Sequence, residues 1–192
     1  NGNVKGYHLG FYGTYVASND FYIDGIVKYG SLKNTFDVLD TENKHVDGSS
    51  RGHTYGISLE VGKRFYFIET KAGFYLEPQA EISYTHQESA QTQASNGLIV
   101  DLNSYDSTIG RISALIGYEV KNSANPVNIY FKTGYVTEMS GDVGYALNGS
   151  RENHDFGGHG WNNGLGITAQ INKKHNLYLE GMYATGNKFD QL

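Results

Sequence analysis

The residues best suited to acid and base work in this chain are carboxylates, and their spacing argues against catalysis. Glu77 and Glu81 stand four apart in Phe74-Tyr75-Leu76-Glu77-Pro78-Gln79-Ala80-Glu81-Ile82-Ser83-Tyr84. On a strand such a pair shares one face, separated by about 13 Å along it. That is too wide for a retaining carboxylate pair, and nothing supports an inverting one. The simpler expectation is that Glu60, Glu77 and Glu81 meet Lys28, Arg64, Arg111 or Lys132 across a common polar surface. His154, Asp155 and His159 lie close in sequence but match no established ligand pattern. No spacing of Ser, His and Asp suggests a triad. No metal, no cofactor and no catalytic set is therefore expected. Were the chain an enzyme, its site would be at a rim, with loop residues such as His86, Asp101 or His154 acting.

Composition narrows the elements that hold these residues. The 192 residues include 25 Gly and 16 Tyr but only 2 Pro and no Cys, a balance of strands and turns rather than helices, in one domain over 1–192. The net charge of −5 is mild and the basic residues are dispersed, so no nucleic-acid partner is expected. The absence of cysteine suits passage through an oxidising periplasm. No charged-then-apolar leader stands at Asn1, and no apolar run reaches about 18 residues. Any membrane contact is thus expected through strands, and the low mean hydropathy does not oppose this, because barrel strands alternate lipid-facing and lumen-facing residues.

The alternation is explicit in eight runs, 7–15, 21–29, 55–65, 74–84, 109–120, 127–137, 161–171 and 177–184. One face carries Leu9, Phe11, Ile23, Val27, Ile57, Leu59, Ile82, Ile112, Ile116, Phe131, Leu165, Ile167 and Leu179, which a period of two predicts to contact lipid. The other carries Asp24, Lys28, Glu60, Arg64, Glu77, Gln79, Glu81, Arg111, Lys132, Gln170 and Glu180, predicted to line a water-filled lumen. Pro78 cannot donate to a ladder, so a bulge or irregularity is expected there. A soluble sandwich or closed barrel would also alternate. Charged and glycine-rich faces recurring in nearly every run favour an all-β, antiparallel, up-and-down transmembrane barrel.

Connections alternate short (18–20, 68–73, 121–126, 172–175) and long (about 34–52, 86–106, 138–158), the rhythm of periplasmic turns and external loops in Gram-negative outer-membrane barrels. Tyr and Phe near the strand ends, including Tyr7, Tyr15, Tyr29, Tyr55, Phe65, Phe74, Tyr84 and Tyr118, predict aromatic girdles. With short turns periplasmic, the first run travels inward and the last outward. Bacterial barrels keep both ends periplasmic, so an odd number of strands is expected to be missing on each side. The end, Gly186-Asn187-Lys188-Phe189-Asp190-Gln191-Leu192, reads as an external turn opening a further strand.

Several motifs carry a resemblance. Gly13-Thr14-Tyr15 precedes Phe21-Tyr22-Ile23-Asp24-Gly25-Ile26-Val27-Lys28-Tyr29. Leu59-Glu60-Val61-Gly62-Lys63-Arg64-Phe65 follows, then the Glu77-Pro78-Gln79 segment, Gly110-Arg111-Ile112-Ser113-Ala114-Leu115-Ile116-Gly117 and Gly164-Leu165-Gly166-Ile167-Thr168-Ala169-Gln170. In this order they resemble the autotransporter β-domain, the translocator of type V secretion. The resemblance implies a twelve-stranded barrel of which about eight strands are present, with roughly three before Asn1 and one after Leu192. It implies export of an N-terminal passenger, assembly by the barrel-assembly machinery and a linker helix in the lumen. Neither a terminal aromatic residue nor a junction asparagine pair is visible, so no cleavage residues are carried over. A small complete barrel of adhesin or structural type, binding through its external loops, is the alternative.

Overall fold

Apolar and small or polar residues alternate with few interruptions, so almost every segment finds its hydrogen bonds in a ladder. The computed structural model describes residues 2–68, 72–120, 125–172, 175–187 and 190–191. Among them the elements are β1 (Gly2–Val16), β2 (Phe21–Leu39), β3 (His45–Lys63), β4 (Phe65–Tyr66), β5 (Gly73–Gln87), β6 (Ala90–Gln93) and β7 (Ile99–Leu102). Then come β8 (Tyr105–Val120), β9 (Val127–Ser140), β10 (Asp142–Leu147), β11 (Ser150–Asp155), β12 (Gly158–Asn172), β13 (His175–Gly186) and β14 (Asp190–Gln191). The main sheet runs β1-β2-β3-β5-β8-β9-β12-β13-β14, with β4 beside β5. All its pairings are antiparallel, its long strands follow one another in chain order, and it curls into half a barrel. Eight long strands coincide with the eight runs read from the sequence. No helix among the described residues is long and apolar enough to cross a membrane.

The strands outrun their apolar segments. β2 and β3 each have 19 residues, whereas a tilted strand crosses hydrocarbon in about 9–11. Their pairing continues without a shift from Phe21↔Lys63 to Leu39↔His45, so the long loop expected at 34–52 is a projecting hairpin. Asp40 closes its tip, its carboxylate accepting from Glu42 N at 2.8 Å and Lys44 N at 2.9 Å. The segments 86–106 and 138–158 are likewise not irregular: β6 and β7 from one and β10 and β11 from the other form a second sheet, β11-β10-β7-β6. Asn148-Gly149 makes the two-residue turn between β10 and β11, both with positive φ (48° and 86°), as such hairpins require. This sheet is tied to the projecting hairpin, because Asp47 N donates to Ser95 Oγ and Ser95 N to Asp47 O. Within it Tyr145 donates to Glu152 at 2.6 Å, and that carboxylate pushes the phenol pKa upward.

Pro78 causes no bulge in its own strand. It pairs in register with Ala114, and the irregularity lies in the partner. β3 stops at Lys63 and β4 starts at Phe65, so a missing N–H costs nothing opposite the gap. Arg64 occupies that gap, its N–H bonded to Asp20 O at 3.1 Å. A second irregularity, between Thr108 and Ile109 against β9, is filled by Glu138, which accepts from Ser107 Oγ and Thr108 N. The short connections expected at 68–73, 121–126 and 172–175 fall partly outside the described residues. The further strand expected at the end exists as β14, pairing Asp190 with Thr185 and Gln191 with Ala184.

Candidate functional site

Because the long strands pair in register, the two faces are continuous across the sheet. On the apolar face Phe11, Val27, Ile57 and Tyr84 form one cross-strand row. Leu76, Ile116, Phe131 and Leu165 form another, and Leu59 lies opposite Ile82. The predicted lipid-facing residues Leu9, Phe11, Ile23, Val27, Ile57, Leu59, Ile82, Ile112, Ile116, Phe131, Leu165 and Leu179 are all exposed. Ile167 is on the same face but half-buried between Ile129 and Leu179. Polar pairs interrupt this face, among them Thr133 donating to Asn163 at 2.8 Å.

The opposite face holds every residue predicted for the lumen, and the structure joins most of them. Arg64 lies at the centre of the network. Its Nε donates to Glu77 at 2.6 Å, its Nη1 reaches Glu119 at 3.2 Å, and its guanidinium carbon lies 4.1 Å from the Tyr75 ring centroid. Glu77 also accepts from Gln79 Nε2 at 2.9 Å, and Tyr22 donates to Glu60 at 2.8 Å. Arg111 pairs with Glu81, which also accepts from Ser58. Glu180 accepts from Tyr130. Lys132 and Gln170 are not in the network: Lys132 lies in a recess with Arg111 and Glu180, and Gln170 in a hollow with Arg64 and Glu119. The expected pairings are thus met for Glu77 and Glu81. Glu60 takes a tyrosine instead, and Lys28 lies over Gly56.

Sequence reasoning missed the tyrosines. Tyr22, Tyr66, Tyr75, Tyr130 and Tyr178 turn to the polar face, and three of them cover glycines on neighbouring strands. Tyr22 lies opposite Gly62, Tyr75 opposite Gly117 and Tyr130 opposite Gly166. An added Cβ at any of the three glycines would strike the ring. This is aromatic cover of strand glycines, which pins register. It leaves a small buried cluster of Tyr75, Leu115 and Tyr130 on an otherwise polar face. The signal was available in the parity of these residues, but the pairing partners were not. Gly117→Ala is expected to destabilise the sheet by about 1–3 kcal/mol, because Tyr75 is fully buried and its hydroxyl is held by Asn128 at 2.9 Å. Urea unfolding in detergent micelles, read by tyrosine fluorescence, checks this.

The loop candidates do not assemble. His86 pairs with Asp106 at 2.8 Å, Asp101 accepts from Gln91 at 2.6 Å, and His154 packs on Phe156. Gly48-Ser49-Ser50-Arg51-Gly52 spells a nucleophile-elbow string, but it lies within β3, in an unbroken ladder with β2 rather than at a strand-to-helix turn. Among the described residues no group of three metal-binding side chains occurs.

The family profile described as "Autotransporter beta-domain" matches residues 1–181. The chain belongs to that family. This autotransporter β-domain is 45% identical over 190 residues, 99% of the chain, to the probable autotransporter YcgV of Escherichia coli K12. It is 31% identical over 188 residues to the pertactin autotransporter of Bordetella parapertussis. In each case it spans about a fifth of the relative's length (20%). The crystal structure of the β-domain of the Bordetella autotransporter BrkA superposes with a TM-score of 0.75 at 27% identity, covering 97% of this chain and 68% of that one. The translocator domain of NalP from Neisseria meningitidis shares the fold, with a TM-score of 0.65 at 17% identity. The β-domains of this family are outer-membrane translocator barrels of type V secretion.

Proposed function

We propose that the polar face is the wall of the export conduit and the apolar face its lipid contact. The long connections would then be extracellular, and further strands of the same polypeptide would join the two open edges of the main sheet. What carries this reading is the separation of the faces from strand to strand, from Phe11-Val27-Ile57-Tyr84 on one side to Tyr22, Glu60, Arg64, Glu77 and Glu119 on the other. The share of the BrkA β-domain covered, 68%, supports the additional strands.

The conduit would do no chemistry. Its acidic row suits a cationic guest. Thr14, Asp24, Glu60, Glu81 and Arg111 are successive cross-strand partners, and like charges opposite one another are unfavourable. Arg111 compensates Glu81, while Asp24 Oδ1 is buried with no hydrogen-bond partner among the described residues. A linker helix or passing passenger segment bearing Lys or Arg would complete the row, and the barrel-assembly machinery would insert the whole.

The 192 residues hold no cysteine, so within them a single introduced cysteine reports location. In the full polypeptide within outer-membrane vesicles, Lys132→Cys is expected to react with a charged methanethiosulfonate, and its neighbour Phe131→Cys only with a lipid-soluble maleimide. The opposite pattern would overturn the facing.

A further inference from the structure

The in-register pairing of β1, β2 and β3 brings together three basic residues that are far apart in sequence. Lys5 lies opposite Lys33, and Lys33 opposite Arg51. All three are exposed, and none has an ion-pair or hydrogen-bond partner among the described residues. Directly opposed side chains have Cβ atoms about 5 Å apart, and like charges in that position repel. Such a row is unfavourable unless an anion sits on it.

Its level and face are set by the same register. By alternation the three belong to the apolar face, two pleats above the row of Leu9, Tyr29 and Tyr55. Between the two rows lie Tyr7, Ser31 and His53. The nine residues from Tyr7 to Tyr15 match what a tilted strand needs to cross hydrocarbon, which places the cations at headgroup depth. Beneath them is an apolar groove of about 410 Å³ on the same face, whose lining includes Leu9, Phe11, Val27, Tyr29 and Ile57. Carboxylates nearby do not neutralise the row: Glu88 takes the Tyr55 hydroxyl, Asp37 pairs with His45, and Asp47 lies at the level of Asp37, two pleats higher.

We propose that Lys5, Lys33 and Arg51 bind the phosphates of a phosphorylated glycolipid of the outer leaflet, one of whose acyl chains occupies the groove below. The anion supplies the missing charge, and the groove sets the lipid apart from a free phosphate. The assignment to the outer leaflet rests on the proposed extracellular position of the long connections.

The test uses the full polypeptide in phosphatidylcholine nanodiscs, titrated with bisphosphorylated lipid A, with dephosphorylated lipid A and with inorganic phosphate. Wild type is expected to bind the bisphosphorylated lipid at least tenfold more tightly than the Lys5→Gln/Lys33→Gln/Arg51→Gln variant. The dephosphorylated lipid should bind both proteins equally weakly, and inorganic phosphate neither. The charge-conserving variant Lys5→Arg/Lys33→Arg should retain binding, and heat-modifiable electrophoretic mobility shows that each variant is folded. Equal binding of the phosphorylated lipid by wild type and the glutamine variant overturns the site, and tight binding of inorganic phosphate overturns the lipid as occupant. Orientation is read separately from Asn43→Cys at the tip of the β2–β3 hairpin, labelled on intact cells by an impermeant maleimide. Labelling only after permeabilisation overturns the outer-leaflet assignment, whatever the nanodiscs show. Labelling from outside together with unselective lipid binding overturns the site alone.

Discussion

Arg64→Ala should unfold the β-domain at markedly lower urea, with a stability loss of about 3–5 kcal/mol. The reason is less the loss of the pair than what it leaves behind. The Glu77 side chain is only 7% exposed, and among the described residues Arg64 is its one cationic partner. Removing the guanidinium also strips Glu119 of its ion pair and Tyr75 of the cation 4.1 Å from its ring centroid. The double variant Arg64→Ala/Glu77→Gln should recover part of the loss, since the orphaned charge goes with its partner. A cycle built from the two single variants and the double should return a coupling of about 0.5–3 kcal/mol. A strictly additive result would mean that the two side chains act independently and that the polar wall is not a connected network.

The second large effect separates the two faces at neighbouring positions. Ile57 lies in the apolar row between Val27 and Tyr84, so Ile57→Lys places an ammonium against hydrocarbon and should cost about 2–4 kcal/mol near mid-bilayer. Ser58 points the other way, its hydroxyl donating to Glu81 at 3.1 Å, in a strand that also presents Glu60. Ser58→Lys adds a cation to an acidic row and should cost far less. Reversible folding into phosphatidylcholine vesicles, followed by tryptophan fluorescence from Trp161, gives both values. Equal costs would contradict the assignment of faces.

Much of the architecture was legible because a strand has a period of exactly two residues. Eight alternating runs became eight long strands, and parity alone sorted Ile57 from Ser58 and Phe131 from Lys132. What escaped was of two kinds. Strand ends were drawn where hydrophobicity stops, yet β2 and β3 continue to Leu39 and from His45, because a ladder is held by backbone groups that do not depend on side-chain polarity. The Asn148-Gly149 turn signal within the apparent loop 138–158 was the available clue that the external segments are themselves folded. The role of the tyrosines escapes the sequence for a different reason. An amphipathic ring suits both a membrane interface and a polar wall; parity puts Tyr22, Tyr75 and Tyr130 on the polar face, but the glycines they cover stand on neighbouring strands.

The sequence by itself determined which side of the sheet each residue occupies, because that depends only on neighbours along one chain. Which residues stand side by side was decided only by the tertiary structure. Register between strands is a relation among segments tens of residues apart, set by the turns, the glycine-covering rings and the burial of one face. It alone pairs Arg64 with Glu77 across the break after β3, and it alone gathers Lys5, Lys33 and Arg51 into a single row of charge.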